Sequence, residues 1–317
     1  MKKLWILFSL ILLFHNIIQW NYANRGQDWG DYFPLCESGN KQSPIDFEEV
    51  EEIPSEEETE NFPNITISAF YASRIQHIFA SIINESIAIS FTNDGSDGYL
   101  IVQDLPNTDG EIQYNLEKMI IHYQSEHTVA GNNYPIEIQF YHTLDKDSRE
   151  TNLNSQLVIS VFFNEITDEI YASQFIYSLR LDGFKQIVNF RMSNIIDYLG
   201  LSAYFYEGSE TCPACRENVY WFVFVSPLNI SKSQLEIIRK IITDINPKGN
   251  TRTITSESIG SLRKRNLEGS SVQATQYYII LNSVRSQLAF YAYVCIIALL
   301  IFVMGYIVFE NAKHRKG

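Results

Sequence analysis

The chain has 317 residues, a formal net charge of −13 at pH 7 and an isoelectric point near 4.9. A balance this acidic disfavours nucleic-acid binding, which needs basic surface to meet the phosphates. Residues 24–287 are numerous enough to bury the core of one sizeable domain, and they contain no evident internal repeat.

The N-terminus has the layout of a secretory signal peptide. Lys2 and Lys3 precede an apolar run from Leu4 to Phe14, and a small residue follows at Ala23. Residues 1–23 are therefore predicted to form a signal peptide, although the residues directly before Ala23 are not the small ones that a cleavage site prefers. An uncleaved signal anchor is the alternative.

The body of the chain is predicted to be mainly β. Seven segments are rich in Ile, Val, Phe and Tyr and are bounded by Asn, Asp, Gly or Pro: 64–71, 85–92, 98–105, 117–124, 135–143, 156–164 and 218–226. Residues 231–245 have the apolar spacing of a helix, with Ser233 and Glu236 predicted as its capping box. A second helix is predicted around residues 184–196.

The composition changes after residue 255. Residues 256–287 are polar, contain a basic cluster and are predicted to form a stalk. Residues 288–309 carry no charge and are long enough to cross a bilayer, which predicts a transmembrane helix. The basic residues of the tail, 310–317, favour the cytosolic side. The sequence therefore predicts a single-pass protein of the secretory pathway, with a lumenal or extracellular body at the plasma membrane or an endomembrane.

Cysteines and sequons fit that compartment. Three cysteines lie in the predicted lumenal body, where disulfides persist, and because three is an odd number one thiol is left over. They are Cys36, Cys212 and Cys215. Three Asn-x-Ser/Thr sequons predict glycosylation at Asn64, Asn84 and Asn229.

Several motifs occur in the order typical of one family. The stretches "DWGDYFPLCESGNKQSPIDF" (28–47), "SEHTVAGNNYPIEIQFYH" (125–142) and "YEGSETCPACRENVYW" (206–221) resemble three segments of the α-class carbonic anhydrases. These are the entry segment, the SEHT hairpin and the G-S-L-T-T-P-P-C segment. The likeness runs from residue 28 to residue 255, so residues 24–255 are taken as an α-carbonic-anhydrase-like domain.

The resemblance implies the family's fold, a single large twisted, mostly antiparallel sheet with short peripheral helices. The fold class expected for the chain is therefore mainly β, with one C-terminal transmembrane helix added. In extracellular members a disulfide joins the cysteine before QSPI to the one after T-T-P-P, which implies a pairing of Cys36 with Cys215. A pairing of Cys36 with Cys212 stays open.

The resemblance also implies a zinc site with three histidine ligands and an open position for water. Its three ligand positions fall on Ile120, His122 and Gln139. Ile120 has no atom that could coordinate, and Gln139 offers an amide oxygen, which suits zinc poorly. His122 is thus the one ligand retained, and no cofactor is expected. By strand periodicity, His127 and His142 point away from the site and are read as structural.

Other positions of the family's site are partly kept and are read as vestigial. Glu126 and Thr211 stand where the family has the pair that orients the zinc-bound hydroxide, and Glu137 where it has a glutamate bonded to a ligand histidine. Ser96 replaces the proton-shuttle histidine, and serine does not relay protons near neutral pH. Tyr141 replaces a small apolar residue.

Three functions remain open at this point. The first is a membrane-anchored, catalytically inactive domain used for binding or assembly with a protein partner. The second is an active carbonic anhydrase that hydrates CO₂ with a rebuilt zinc site, for which Glu210 and Cys212 beside His122 and Gln139 are the alternative ligands. The third is an accessory subunit of a membrane complex, in which residues 277–287 pack against a partner.

Overall fold

The structure is a computed structural model that describes residues 20–47, 65–72, 75, 78–105, 108, 110–147, 153–169, 172–184, 187, 190–192, 195, 202–254, 275–278 and 280–283. Residues 1–19 of the predicted signal peptide, Asn64, the predicted transmembrane helix 288–309 and the tail 310–317 lie outside them. Within the described ranges, no helix is both long and apolar enough to cross a membrane.

Strands dominate the described chain. They are β1 (Asp46–Phe47), β2 (Thr66–Tyr71), β3 (Ser81–Ile83), β4 (Ser86–Ser90), β5 (Gly98–Gln103), β6 (Glu111–Tyr123), β7 (Thr128–Val129), β8 (Asn132–Asn133), β9 (Ile136–Leu144), β10 (Gln156–Ile166), β11 (Ser202–Gly208), β12 (Val219–Ser231), β13 (Thr275–Tyr278) and β14 (Ile280–Ser283). The helices are a 3-10 turn (Trp29–Asp31), α1 (Leu35–Ser38), α2 (Gln174–Ser178) and α3 (Lys232–Ile245).

Eleven strands form one sheet. Its order is β13-β11-β12-β10-β9-β6-β5-β2-β14, with β4 also paired to β6 and β3 paired to β4. The pairs are antiparallel except β10 with β12 and β14 with β2. Strands β1, β7 and β8 form a small second sheet. The predicted mainly β fold on one large, mostly antiparallel sheet is confirmed.

Two local predictions about helices were wrong. The capping box of α3 is formed by Ser231 and Gln234, whose side chains each bond the other's backbone N–H. Ser233, the predicted cap, instead donates its hydroxyl to Glu169. In the predicted helix at 184–196, the described residues 184, 187 and 190–192 are not helical, and Phe190 forms an isolated bridge with Ile75.

The folded domain extends beyond both predicted boundaries. Tyr22, placed in the predicted signal peptide, is buried with 2% of its surface exposed. At the other end, β13 pairs with β11 and β14 pairs with β2, so the predicted stalk contributes two strands to the sheet. Within 277–287, the segment expected to meet a partner, residues 277, 278 and 280–283 pair with this chain's own sheet.

The sheet is buried on both faces. The larger apolar cluster packs on the face that carries Ile138 and Phe140. The smaller cluster includes Tyr141 and Trp221 and packs on the opposite face. A disulfide joins Cys36 to Cys215, which confirms that pairing, and Cys212 is a free thiol.

Candidate functional site

Strands β6 and β9 bring the predicted site positions together. Their antiparallel register sets Ile120 opposite Gln139 and His122 opposite Glu137. Residues two apart on a strand share a face, so these four side chains project from the same side of the sheet. The three expected ligand positions, Ile120, His122 and Gln139, therefore lie on one face of the sheet.

The side chain of Gln139 is fully buried and hydrogen-bonded through both its nitrogen and its oxygen. Its Nε2 donates to Glu126 Oε2 at 3.1 Å and to Glu137 Oε1 at 2.9 Å. Its Oε1 accepts from the Tyr141 hydroxyl at 2.7 Å. The amide oxygen, the one atom through which Gln139 could approach a metal, is thus held by an internal donor.

Glu137 is the centre of the buried network. Its Oε2 accepts from the backbone N–H groups of Glu126 and His127, and its Oε1 accepts from His127 Nδ1, Gln139 and Ser160. Burial acts to raise the pKa of this carboxyl, but neighbouring histidines and donors outweigh burial and lower the pKa to about 2. Glu137 is therefore a buried carboxylate that orders the surrounding backbone and side chains.

His122 keeps one ring nitrogen without a partner. Its Nδ1 lies 2.8 Å from the carbonyl oxygen of Asn250, which makes Nδ1 the donor. Its Nε2 is buried, forms no hydrogen bond and lies 3.4 Å from Glu126 Oε2. Glu126 is itself engaged, because its Oε1 accepts from the backbone N–H of Arg252 at 2.9 Å.

Tyr141 fills the space beside Gln139. It is 1% exposed, and its hydroxyl lies within hydrogen-bond reach of Thr211 as well as of Gln139. Lys118 Nζ lies 4.8 Å from the centre of its ring. Burial raises the pKa of Tyr141 well above its usual value, so the hydroxyl stays protonated. A phenol thus occupies the floor of the site.

The two remaining histidines of the hairpin are structural, but one orientation was predicted wrongly. His142 packs on the opposite face, with Nε2 2.8 Å from the Tyr71 hydroxyl, and burial lowers its pKa to about 3. His127 lies on the site face, bonded to Glu137 and to the Tyr206 hydroxyl. Strand periodicity does not extend to His127, because β6 ends at Tyr123 and the chain bends between these two residues.

The alternative metal ligands are either paired with another residue or protonated. Glu210 forms a double hydrogen bond with Arg216 at 2.8 and 3.1 Å, and burial raises the pKa of the Cys212 thiol to about 12. Ser96 lies in an exposed loop and bonds Asp94. In the part of the chain that is described, no three His, Cys, Asp or Glu side chains form a group able to hold a metal ion.

A polar cavity of about 370 Å³ opens on the same region of the sheet. Its lining includes Glu117, Thr143, Gln156, Glu210 and Arg216. The sequence patterns did not single out Glu117 or Arg216 as site residues. Arg216 lies within the quoted stretch 206–221, but the cavity forms only where β6, β9, β10 and the β11–β12 loop meet.

The residues present do not fit a zinc site. A catalytic zinc needs three protein ligands and an open position. Ile120 offers no donor atom, the Gln139 oxygen is taken by Tyr141, and His122 Nε2 is the one unpartnered nitrogen among the three positions. Buried hydrogen bonds join Glu126, Glu137, Gln139 and Tyr141, and His122 Nε2 alone of this group is left without a partner.

Comparisons with known proteins agree with this fold. The family model for eukaryotic-type carbonic anhydrase matches residues 24–265. Carbonic anhydrase 6 of Mus musculus is 26% identical over 271 residues, which cover 76% of this chain and 79% of that protein. A solved hyperthermostable carbonic anhydrase from a hydrothermal vent chimney is 25% identical, with a TM-score of 0.55 over 75% of this chain and 96% of its own.

One relative belongs to a different kind of protein. Receptor-type tyrosine-protein phosphatase zeta of Rattus norvegicus is 26% identical over 251 residues, which cover 71% of this chain. The aligned region is 10% of the length of that phosphatase. The family model alone spans well over half of the chain, and the strands and disulfide agree with it. This chain therefore belongs to the eukaryotic-type carbonic anhydrase family.

Proposed function

We propose that this chain is a membrane-anchored carbonic-anhydrase-like ectodomain that does not hydrate CO₂ and serves in binding or assembly with a protein partner. The observation that carries the proposal is the state of Gln139, whose oxygen accepts from Tyr141 while its nitrogen donates to Glu126 and Glu137. Hydrogen bonds within the domain thereby replace coordination to a metal.

The loss of catalysis follows from the chemistry of the reaction. Hydration of CO₂ at neutral pH needs a hydroxide, which a bound metal supplies by lowering the pKa of water to about 7. Neither Ile120 nor the engaged Gln139 could help hold such a metal beside His122. Without it, no described group near His122 supplies an equivalent nucleophile, because Tyr141 and Cys212 are protonated at neutral pH.

Tyr141 is also a steric barrier to catalysis. Its ring and hydroxyl fill the space next to Gln139, and the ring lies under Lys118. Even with three histidines in place, a small substrate would have to share that space with a buried phenol. Restoring activity therefore requires a smaller residue at 141 as well as the two missing ligands.

The test uses the full chain purified in mild detergent. We expect no zinc above trace amounts after exposure to zinc and dialysis, and no acceleration of CO₂ hydration in a stopped-flow indicator assay. A close active family member, purified in parallel, controls for loss of metal during preparation. About one zinc per chain together with CO₂ hydration would overturn the proposal.

Secretion and anchoring are part of the proposal. A disulfide favours an oxidising compartment, and one relative is a receptor-type protein. Asn84 and Asn229 are exposed, so both sequons are accessible in the folded domain. We expect glycosidase treatment to reduce the mass of the protein and alkaline extraction to leave it in the membrane pellet. A mass unchanged by glycosidase, or release into the supernatant, would contradict this part.

A further inference from the structure

The segment Trp20–Ala23 packs as part of the folded domain. The rings of Trp20, Tyr22 and Trp29 meet edge to face, with centroids 5.2 to 5.5 Å apart. The Trp29 indole N–H donates to the carbonyl oxygen of Asn21 at 2.8 Å. The same cluster contains the Cys36–Cys215 disulfide. These residues therefore cover the disulfide and one side of the core.

Tyr22 also links three separate parts of the fold. Its backbone N–H donates to Glu85 Oε2 at 2.8 Å, and the same oxygen accepts from Asn246 Nδ2 at 3.1 Å. Glu85 lies in the turn between β3 and β4, and Asn246 follows α3. The Tyr22 hydroxyl bonds Ser86, and the side chain is 2% exposed. The segment thus joins the β3–β4 hairpin to the end of α3.

We infer that the mature chain retains Trp20–Ala23, and that any removal of a leader occurs on the N-terminal side of Trp20. Cleavage after Ala23, where the small residue suggested it, would delete two aromatic rings from a three-ring cluster. It would also remove the backbone N–H of Tyr22, which donates to the partly buried Glu85 carboxylate. Loss of buried aromatic contacts and of a donor to a carboxylate is strongly destabilising.

The first test reads the N-terminus directly. The full chain is expressed in a secretory host, purified, and its N-terminal peptide identified by mass spectrometry. We expect a peptide that contains Trp20 and Tyr22, whether or not a leader has been removed before them. A mature chain that begins at Asn24 would overturn the inference. The inference uses the proposed secretion only for the existence of a leader, and failure to enter the secretory pathway would show separately, as absence of glycosylation.

The second test measures what the segment contributes. Tyr22→Ala in the full chain is expected to lower the midpoint of thermal unfolding by roughly 5 to 15 °C. Tyr32→Ala is the matched control, because Tyr32 is 63% exposed and belongs to the same N-terminal region. We expect the control to stay within about 2 °C of the unsubstituted chain. Equal midpoints for the two variants would overturn the inference that Tyr22 is part of the core.

Discussion

Substitution of Glu137 by glutamine tests the buried network most sharply. Glutamine keeps the size of the side chain but replaces one acceptor oxygen by an NH₂ donor. Oε2 accepts two backbone N–H groups, and Oε1 accepts from three side chains, so the new donor faces at least two others in either orientation. Each buried donor left without an acceptor costs about 1 to 3 kcal/mol.

We therefore expect Glu137→Gln to lower the free energy of unfolding by roughly 3 to 5 kcal/mol, a large part of the 5 to 15 kcal/mol typical of a domain. Urea unfolding followed by tryptophan fluorescence measures the change. Glu236→Gln is the control, because Glu236 is exposed and paired with Arg239, and its loss is expected to cost under about 0.5 kcal/mol. A Glu137→Gln variant within about 0.5 kcal/mol of the unsubstituted chain would refute the reasoning.

The pH dependence, the metal site and the disulfide give further predictions. Because the pKa of Glu137 is lowered on folding, its ionised form stabilises the folded state fully above pH 4.5, and this stabilisation is lost as pH falls towards about 2. In Glu137→Gln, the free energy of unfolding should not show this loss at acid pH. The pKa of His142 is also lowered, from 6.5 to about 3, so the free energy of unfolding should fall by up to about 1.4 kcal/mol per pH unit below pH 6.5. His142→Gln should remove this slope when unfolding is measured at a series of pH values. The double variant Ile120→His/Gln139→His should bind zinc, as measured by metal analysis, but should hydrate CO₂ only when Tyr141→Val is added. Equal activity with and without Tyr141→Val would contradict the steric role of Tyr141. Cys36→Ser should lower unfolding free energy by roughly 2 to 4 kcal/mol under non-reducing conditions, whereas Cys212→Ser should leave the disulfide and the stability unchanged.

The central strands of the sheet were predictable from local patterns, and the two strands at its edges were not. Runs rich in Ile, Val, Phe and Tyr are found as strands β2, β4, β5, β6, β9, β10 and β12. Strands β13 and β14 were missed because each is short and gains its partner from a distant part of the chain. The cap of α3 was misplaced because two overlapping patterns, Ser231 with Gln234 and Ser233 with Glu236, satisfy the same local rule.

At the site, spacing along the strands predicted which residues share a face but not which side chains bond each other. Spacing along β6 and β9 placed Ile120, His122 and Gln139 on one face. It could not show that Tyr141 donates to Gln139, because that contact depends on the rotamers of both side chains. It also failed for His127, since periodicity holds only while a strand continues. Motif spacing thus identified which residues lie at the site, whereas their hydrogen-bond partners depend on side-chain conformations that spacing does not determine.

We propose that hydrogen bonds within the domain take the place of a metal at this site. Zinc content, measured by elemental mass spectrometry on the purified full chain and paired with a CO₂ hydration assay on the same sample, tests it most directly. We expect no zinc above trace amounts and a hydration rate equal to that of buffer. One zinc per chain with chelator-sensitive hydration of CO₂ would contradict the account.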